Sequence, residues 1–366
     1  MVLRHPQRLP LLAMGMAALL TGLWAGLLRL GWEVPPLQPT LPAVHGPLMI
    51  SGFLGTLISL ERAVALGRRW AYAAPLLSGL GGLGLIAGFH GPGARVLILA
   101  GSLGLVAIFA VIIRLRPALY TVAMGLGAVC WVVGNLLWLW GWPIAYLVFW
   151  WAGFLLLTIA GERQELARLQ RLSPAGQASF PATLMSVLAG LIVIGSSFDI
   201  GVRLVGAGMV GLALWLGQHD IARRTVRQTG VTRFIAVCLL SGYVWLGLSG
   251  LLAVIFGGVS AGPQYDAMLH AFFLGFVFAM IFGHAPIIFP AVLGAKMAFR
   301  PMFYAHAILL QVTLILRLAG DLIGWEAGRQ VGGLLNVVAL LFFLANTVYA
   351  LRSPAERAAT VKAGAS

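Results

Sequence analysis

The segment 42–62 reads PAVHGPLMISGFLGTLISLER, and its pattern returns 101 residues later in the segment 143–163, PIAYLVFWWAGFLLLTIAGER. Seven of the 21 positions are identical: both segments open on proline, continue with Gly-Phe-Leu and an isoleucine, and close on Glu-Arg. A shift of 223 residues places Gly52-Phe53 and Ile58 on Gly275-Phe276 and Ile281. These matches indicate an internal repeat of three blocks. Chance similarity among apolar helices is the alternative interpretation.

The composition around these segments requires a lipid environment. Hydrophobic residues make up 60% of the 366 positions and charged residues only 9%, which leaves too little polar surface for a water-soluble globule. A spanning helix needs roughly 20 apolar residues. The hydropathy pattern predicts twelve spans, near 9–31, 41–62, 70–89, 95–113, 118–140, 143–162, 180–198, 201–217, 234–256, 266–290, 302–322 and 329–351. The first is predicted to be retained as a helix, because no A-x-A-like cleavage site follows it.

The repeat and the span count together predict the architecture. The three matching segments fall in spans two, six and ten, which are spaced by four. We therefore expect an all-α membrane fold of twelve transmembrane helices in three four-helix blocks around a pseudo-threefold axis. The single integral membrane domain, residues 1–366, would divide into blocks at about 9–116, 117–217 and 231–351.

The net charge of +14 would suit a nucleic-acid partner, but the positions of the charges argue against one and predict the orientation in the membrane. With twelve spans both termini share one side, and that side holds nineteen of the 24 basic residues. The opposite side holds only Arg29, Arg95, Arg203, Arg317 and Arg329. Because positive charge is retained on the cytoplasmic side, the pattern predicts an inner (cytoplasmic) membrane protein with cytoplasmic termini. The basic excess is then a topology signal with affinity for anionic lipid headgroups.

Two histidines at equal depth are the strongest candidates for a cofactor site. His45 lies in the first turns of span two and His270 one turn inside span ten, and both spans run inward from the outer face. Ionisable side chains inside a membrane are costly and often functional. Two neutral imidazoles on facing helices can hold one haem iron axially. Alternatively, they are two separate interfacial histidines bonded to backbone carbonyls.

A second histidine pair is predicted nearer the cytoplasmic face. His284 precedes Pro286 and Pro290 in span ten, and His306 lies near the start of span eleven. Adjacent antiparallel helices could bring the two imidazoles together. Two imidazoles suit copper, iron or zinc, although two ligands do not complete a site. His284 and His306 are therefore candidate ligands of a second metal, with copper as the candidate.

The cysteines limit the kind of haem that is expected. Cys130 and Cys238 both fall within predicted helices and form neither C-x-x-C nor C-x-x-C-H. They are expected to be small buried residues. The absence of C-x-x-C-H excludes only the usual covalent haem attachment. It does not decide between b-type and other haems, of which b type is the expectation.

Other charges have simpler predicted roles. Glu61-Arg62 and Glu162-Arg163 are expected to snorkel at the inner helix ends, and their repetition hints at a contact within the bundle. The i,i+4 spacing of Arg317 and Asp321 predicts an ion pair. The outer-side cations Arg29, Arg95 and Arg329 are candidate partners for haem propionates.

Twelve helices, three four-helix arcs and outer histidines on helices two and ten resemble subunit I of the haem-copper oxidases. That resemblance implies a haem held by His45 and His270. A closer resemblance is to the NnrS family, haem- and copper-containing membrane proteins linked to nitric oxide stress. Its tenth helix is similar to the run L-H-A-x-x-x-G-x-x-x-x-M, here Leu269-His270-Ala271, Gly275 and Met280, and its ninth to Gly242-Tyr243-x-Trp245.

Departures from these families restrict what the resemblance implies. Span six has no histidine where oxidases carry His-x-x-x-Tyr, span seven has no His-His pair, and the next histidine after His270 comes fourteen residues later. Leu240 and Ser241 stand where an NnrS-like histidine is expected before Tyr243. An oxidase-type binuclear centre is therefore not predicted, whereas one haem is.

The sequence thus predicts a haem-binding membrane protein that acts in electron transfer or in the response to nitric oxide. Its expected partners are a diatomic gas or a redox partner. A secondary transporter is one alternative, since twelve helices and internal repeats are common there. An assembly or scaffold protein without a cofactor is the other.

Overall fold

The computed structural model describes residues 5–89, 91–167, 173–294 and 297–352. Within these ranges the chain is almost entirely helical and no strand occurs. Six of the basic residues assigned to the inner side lie outside the described residues: Arg4, Arg168, Arg171, Lys296, Arg357 and Lys362.

In the described ranges twelve helices have 14 or more residues, and their bounds lie close to those of the predicted spans. They are α1 His5–Arg29, α2 Leu41–Leu66, α3 Ala73–Ile86, α4 Pro92–Leu115, α5 Leu119–Leu139, α6 Ile144–Ala167, α7 Pro174–Val193, α8 Phe198–His219, α9 Gly230–Phe256, α10 Pro263–Leu293, α11 Phe303–Ile323 and α12 Glu326–Arg352. The short helical turn Ala222–Thr225 links α8 to α9.

Eleven of these helices are long and apolar enough to cross a membrane, which makes the chain an all-α protein of the multi-pass membrane type. The remaining one, α3, has 14 residues after a 3₁₀ turn at Arg69–Tyr72. A 14-residue α-helix is about 21 Å long, less than the roughly 30 Å of a hydrocarbon core. The helix predicted near 70–89 therefore forms, but it is shorter than a typical span.

Three helices are more enclosed than the others. In the most apolar window of each span, 78% of residues are buried in α6, 67% in α2 and 61% in α10, against 33–56% elsewhere in the described chain. These are the helices that carry the repeated segments. Helices that follow one another in the sequence pack as antiparallel pairs, such as α5 with α6 and α8 with α9.

The helices α2 and α10 share an irregularity at matching positions. Residues Leu48–Gly55 of α2 and Ala271–Val277 of α10 form π-helical turns, and the two begin 223 residues apart. Each contains one copy of the repeated Gly-Phe. π-Helical turns widen the backbone and are frequent at functional sites. They begin within one turn of His45 in α2 and of His270 in α10.

Close glycine–tryptophan contacts fix these turns against their neighbours. A Cβ at Gly55 would overlap the Trp131 ring of α5, and one at Gly275 would overlap Trp245 of α9. Trp131 Nε1 also donates to Ser51 Oγ at 3.0 Å, in α2. Such close approach of backbones replaces the hydrophobic drive that water supplies to soluble proteins.

Candidate functional site: the His45–His270 cavity

One cavity of about 310 Å³ is lined by both predicted haem ligands. His45 follows the 3₁₀ turn Leu41–Val44 at the start of α2, and His270 is the last residue before the π-helical turns of α10. The volume lies in the range of small-molecule sites, about 300–1,000 Å³. The fold therefore brings His45 and His270 to the same cavity, as the sequence analysis predicts.

The two imidazoles are nearly parallel and are separated by a gap. Their ring centroids lie 6.4 Å apart, and the ring planes differ by 24°. A metal between the two Nε2 atoms, with metal–nitrogen bonds of about 2 Å each, would give a similar separation of the ring centres.

Hydrogen bonds fix the proton on each ring. His45 Nδ1 lies 2.8 Å from the carbonyl oxygen of Gly22 in α1, and His270 Nδ1 lies 2.9 Å from that of Asp266. Because a carbonyl oxygen only accepts, each Nδ1 carries the proton and each Nε2 keeps its lone pair. An imidazole anchored through Nδ1–H is the usual form of a metal-bound histidine.

Glycine on α1 makes room for the His45 ring. A Cβ at Gly26 would lie 3.1 Å from His45 Cε1, closer than an ordinary contact. The helix α1 thus presents a carbonyl oxygen at Gly22 and a bare backbone at Gly26 to the same imidazole. Ring position and tautomer are both set by this helix.

The walls of the cavity are mainly apolar, and cations lie on its lining. Three arginines line it: Arg29, Arg317 and Arg329. Arg29 and Arg329 are two of the three predicted propionate partners. The third, Arg95, donates to the Trp138 carbonyl oxygen at 3.1 Å and stacks over the Trp138 ring instead. Asp266, Ser260, Tyr265 and Asn336 add polar groups to the lining. Most other lining residues are apolar, among them Met49, Ile50, Leu54, Phe273, Phe278 and Leu340.

The predicted Arg317–Asp321 pair is wrong. Arg317 binds Asp266 of α10 with both Nε and Nη2, at 2.8–3.0 Å, and Asp321 forms its ion pair with Arg329 Nε at 3.0 Å. Helix packing brings Asp266 opposite Arg317, where the guanidinium can bind a carboxylate in two-pronged fashion. An i,i+4 spacing on one helix could not anticipate a partner 51 residues away.

His284 belongs to a separate buried cluster at the other end of α10. Its Nδ1 lies 2.7 Å from the Met280 carbonyl oxygen, and its Nε2 lies 3.5 Å from Nη1 of Arg163. Arg163 in turn donates to both carboxylate oxygens of Asp220, at 2.8 and 3.1 Å. Tyr243 donates to Asp220 at 2.9 Å.

The predicted snorkelling of the two Glu-Arg pairs is wrong for Arg163, which is only 3% exposed. Arg62 forms ion pairs with Glu61 and with Glu162 of α6, so the two copies of the motif contact each other. The contact within the bundle that the repetition hinted at is therefore present. Asp220 was missed, because it stands alone at the end of α8 with no motif around it.

His306 has a different environment from His284. It is fully buried, accepts from Asn346 Nδ2 at 3.1 Å through Nδ1, and is surrounded by phenylalanine rings, the nearest being Phe282 at 4.8 Å between centroids. Its Nε2 has no partner among the described residues. No contact between the two rings and no cluster of three or more metal-ligating side chains occurs in the described ranges. A metal at His284 and His306 stays a prediction.

Comparison with known proteins places the chain in a family. A family model described as a domain of unknown function, DUF8744, matches residues 8–352. The chain belongs to the DUF8744 family. The DUF8744 match contains α2, α10 and every residue of the cavity. No curated protein matches this DUF8744 chain.

Proposed function

We propose that the protein binds one haem in the cavity between α2 and α10, with His45 and His270 as its axial ligands. The observation that carries the proposal is the pair of imidazoles, 6.4 Å apart across one cavity, each with Nδ1–H bound to a carbonyl oxygen. Both Nε2 atoms are then available to a metal. The resemblance of the Leu269-His270-Ala271 run to the NnrS family points to the same group.

The cavity lining fits the rest of a haem as well as its iron. Apolar side chains such as Phe273 and Phe278 can pack against the face of a porphyrin. Cationic side chains can bind its carboxylates. Arg29 and Arg329 are the residues proposed to hold the propionates. A bound haem would supply one-electron chemistry, while this chain fixes the ligands and excludes water.

The proposal includes the finer architecture. Twelve helices, with α3 as the shortest, form three four-helix blocks whose inner members are α2, α6 and α10. The enclosure of these three helices and the matching π-helical turns support this arrangement. We propose an inner-membrane protein with cytoplasmic termini, so that the haem lies near the outer face.

With two axial histidines and no oxidase-type second centre, the proposed role is electron transfer or response to a diatomic gas, nitric oxide being the case that the NnrS resemblance favours. Copper at His284 and His306 is not part of this proposal. Copper content of the purified protein, compared with that of His306→Ala, tests it separately.

Reduced-minus-oxidised difference spectra test the haem. Protein from haem-replete cells is expected to show haem bands that are lost or strongly changed in His45→Ala and in His270→Ala. His284→Ala, on the same helix as His270, is the matched control and should keep them. Absence of haem bands in the wild-type protein would overturn the proposal, and bands indifferent to both variants would overturn the ligand assignment.

A further inference from the structure

The two proposed haem ligands differ in what holds them. His45 Nδ1 bonds to one neutral acceptor, the Gly22 carbonyl oxygen. His270 Nδ1 lies 2.9 Å from the carbonyl oxygen of Asp266 and 3.2 Å from carboxylate Oδ1 of the same residue. One N–H therefore faces both a neutral and a charged acceptor, and only at His270.

The Asp266 carboxylate is held in this position from the other side. Arg317 donates to both of its oxygens, and the Arg317 side chain is only 8% exposed. Asp321 is an electrostatic neighbour of Asp266 and pairs with Arg329. A carboxylate fixed at both oxygens cannot rotate away from the imidazole.

A charged acceptor at Nδ1–H makes the imidazole a stronger electron donor through Nε2. It draws the proton away from the ring and leaves the imidazole richer in electrons, as in carboxylate–histidine–metal triads. A more strongly donating ligand favours the oxidised metal. Hydrogen bonding behind an axial ligand is one of the means by which proteins set haem potentials.

We propose that Asp266 is a positioning residue that makes His270 the stronger axial ligand and lowers the reduction potential of the haem. Arg317 opposes it by neutralising part of the carboxylate charge. This inference rests on the proposed function, because it concerns a haem bound at His270. Asp266 and Arg317 form one ion pair, and they are expected to change the reduction potential in opposite directions.

Matched controls separate the hydrogen bond from simple loss of charge. Removing any nearby carboxylate raises a potential through space. Glu326→Gln measures that effect, because Glu326 pairs with Arg329 and has no contact with His270 or Asp266 among the described residues. Asp266→Asn removes one carboxylate charge and also the charged acceptor. Arg95→Gln serves Arg317→Gln in the same way, since Arg95 donates to the Trp138 carbonyl oxygen and Arg317 binds Asp266.

The test is a redox titration of the haem in the purified wild-type protein and the four variants. We expect Asp266→Asn to raise the ratio of reduced to oxidised haem at a fixed potential about tenfold relative to Glu326→Gln, at the lower end of outer-shell effects. Tenfold corresponds to about 59 mV for a one-electron couple. Arg317→Gln should lower the ratio below that of Arg95→Gln.

Equal shifts in Asp266→Asn and Glu326→Gln would overturn the inference while leaving the proposed haem intact. If Asp266→Asn does not fold, Arg317→Gln decides: an unchanged or higher potential relative to Arg95→Gln overturns it. Wild-type protein without haem would overturn the proposed function and the inference together.

Discussion

Arg62 of α2 forms an ion pair with Glu162 of α6, so the two copies of the Glu-Arg motif meet in the folded protein. The side chains are only 14% and 25% exposed, and the pair joins two of the three most enclosed helices. The contact joins the two repeated segments of the sequence.

Glu162→Gln is expected to destabilise the protein by about 1.5–3 kcal/mol, the range for hydrogen bonds to charged groups. Arg62 would keep its longer contact with Glu61, at 3.4 Å. The control is Glu326→Gln, which breaks the pair of an exposed carboxylate with Arg329 and should change little. Thermal unfolding in detergent measures both, and an equal shift in the two variants would show that the pair adds nothing to stability.

Asp220→Ala should be more harmful than Tyr243→Phe. Removing the carboxylate leaves Arg163 buried without its partner, which typically costs about 3–5 kcal/mol. Removing the Tyr243 hydroxyl deletes one hydrogen bond and leaves the ion pair, a loss of about 1.5–3 kcal/mol at most. Yield and unfolding temperature of the two variants give the order, and the reverse order would contradict the buried ion pair seen here.

Gly26→Ala is expected to shift the His45 ring while both proposed haem ligands keep their identity. Its new methyl group would press on the His45 ring, so haem content or the position of the haem bands should change. Gly217→Ala, at a helical glycine with open space around it, is the control and should resemble the wild type. Identical spectra in all three proteins would mean that His45 is not placed by α1 as described.

Gly275→Ala should weaken the packing of α10 on α9. The added methyl group would overlap the Trp245 ring, and overpacking of this kind costs about 1–3 kcal/mol. Gly247→Ala meets only the Ala213 side chain at 3.5 Å, an ordinary contact, and should be tolerated. A comparison of unfolding temperatures checks the pair, and equal tolerance would argue against a tight π-helical turn at this point.

The proposed orientation can be tested by cysteine labelling, because both native cysteines are buried and unbridged. Leu37→Cys lies in the exposed loop between α1 and α2, and Gln228→Cys in the exposed stretch before α9. An impermeant thiol reagent added to intact cells should label Leu37→Cys and spare Gln228→Cys. The opposite pattern would reverse the orientation.

The sequence predicted those features that depend on the local run of residues alone. Helix bounds followed from apolar runs of the right length, and the 101-residue match picked out α2 and α6 before their enclosure was visible. The shared depth of His45 and His270 followed from the direction of two spans. Each of these inferences needed only local composition and the alternation of charge.

Properties set by helix packing could not be read in this way. Arg317 had a plausible partner four residues away in Asp321, but its guanidinium binds Asp266 on another helix. Arg163 was expected to reach the headgroups, yet Asp220 holds it inside. In both cases the deciding partner lies more than 50 residues away, and the sequence gives no signal that would choose it.

The most direct measurement of the central claim is the electron paramagnetic resonance spectrum of the oxidised, purified protein. Two axial imidazoles give a six-coordinate, low-spin ferric haem, so a low-spin signal is predicted for the wild type. His45→Ala and His270→Ala should each turn high-spin or lose the haem. A high-spin wild-type spectrum, or a low-spin signal that survives both substitutions, would contradict the assignment of His45 and His270 as the ligand pair.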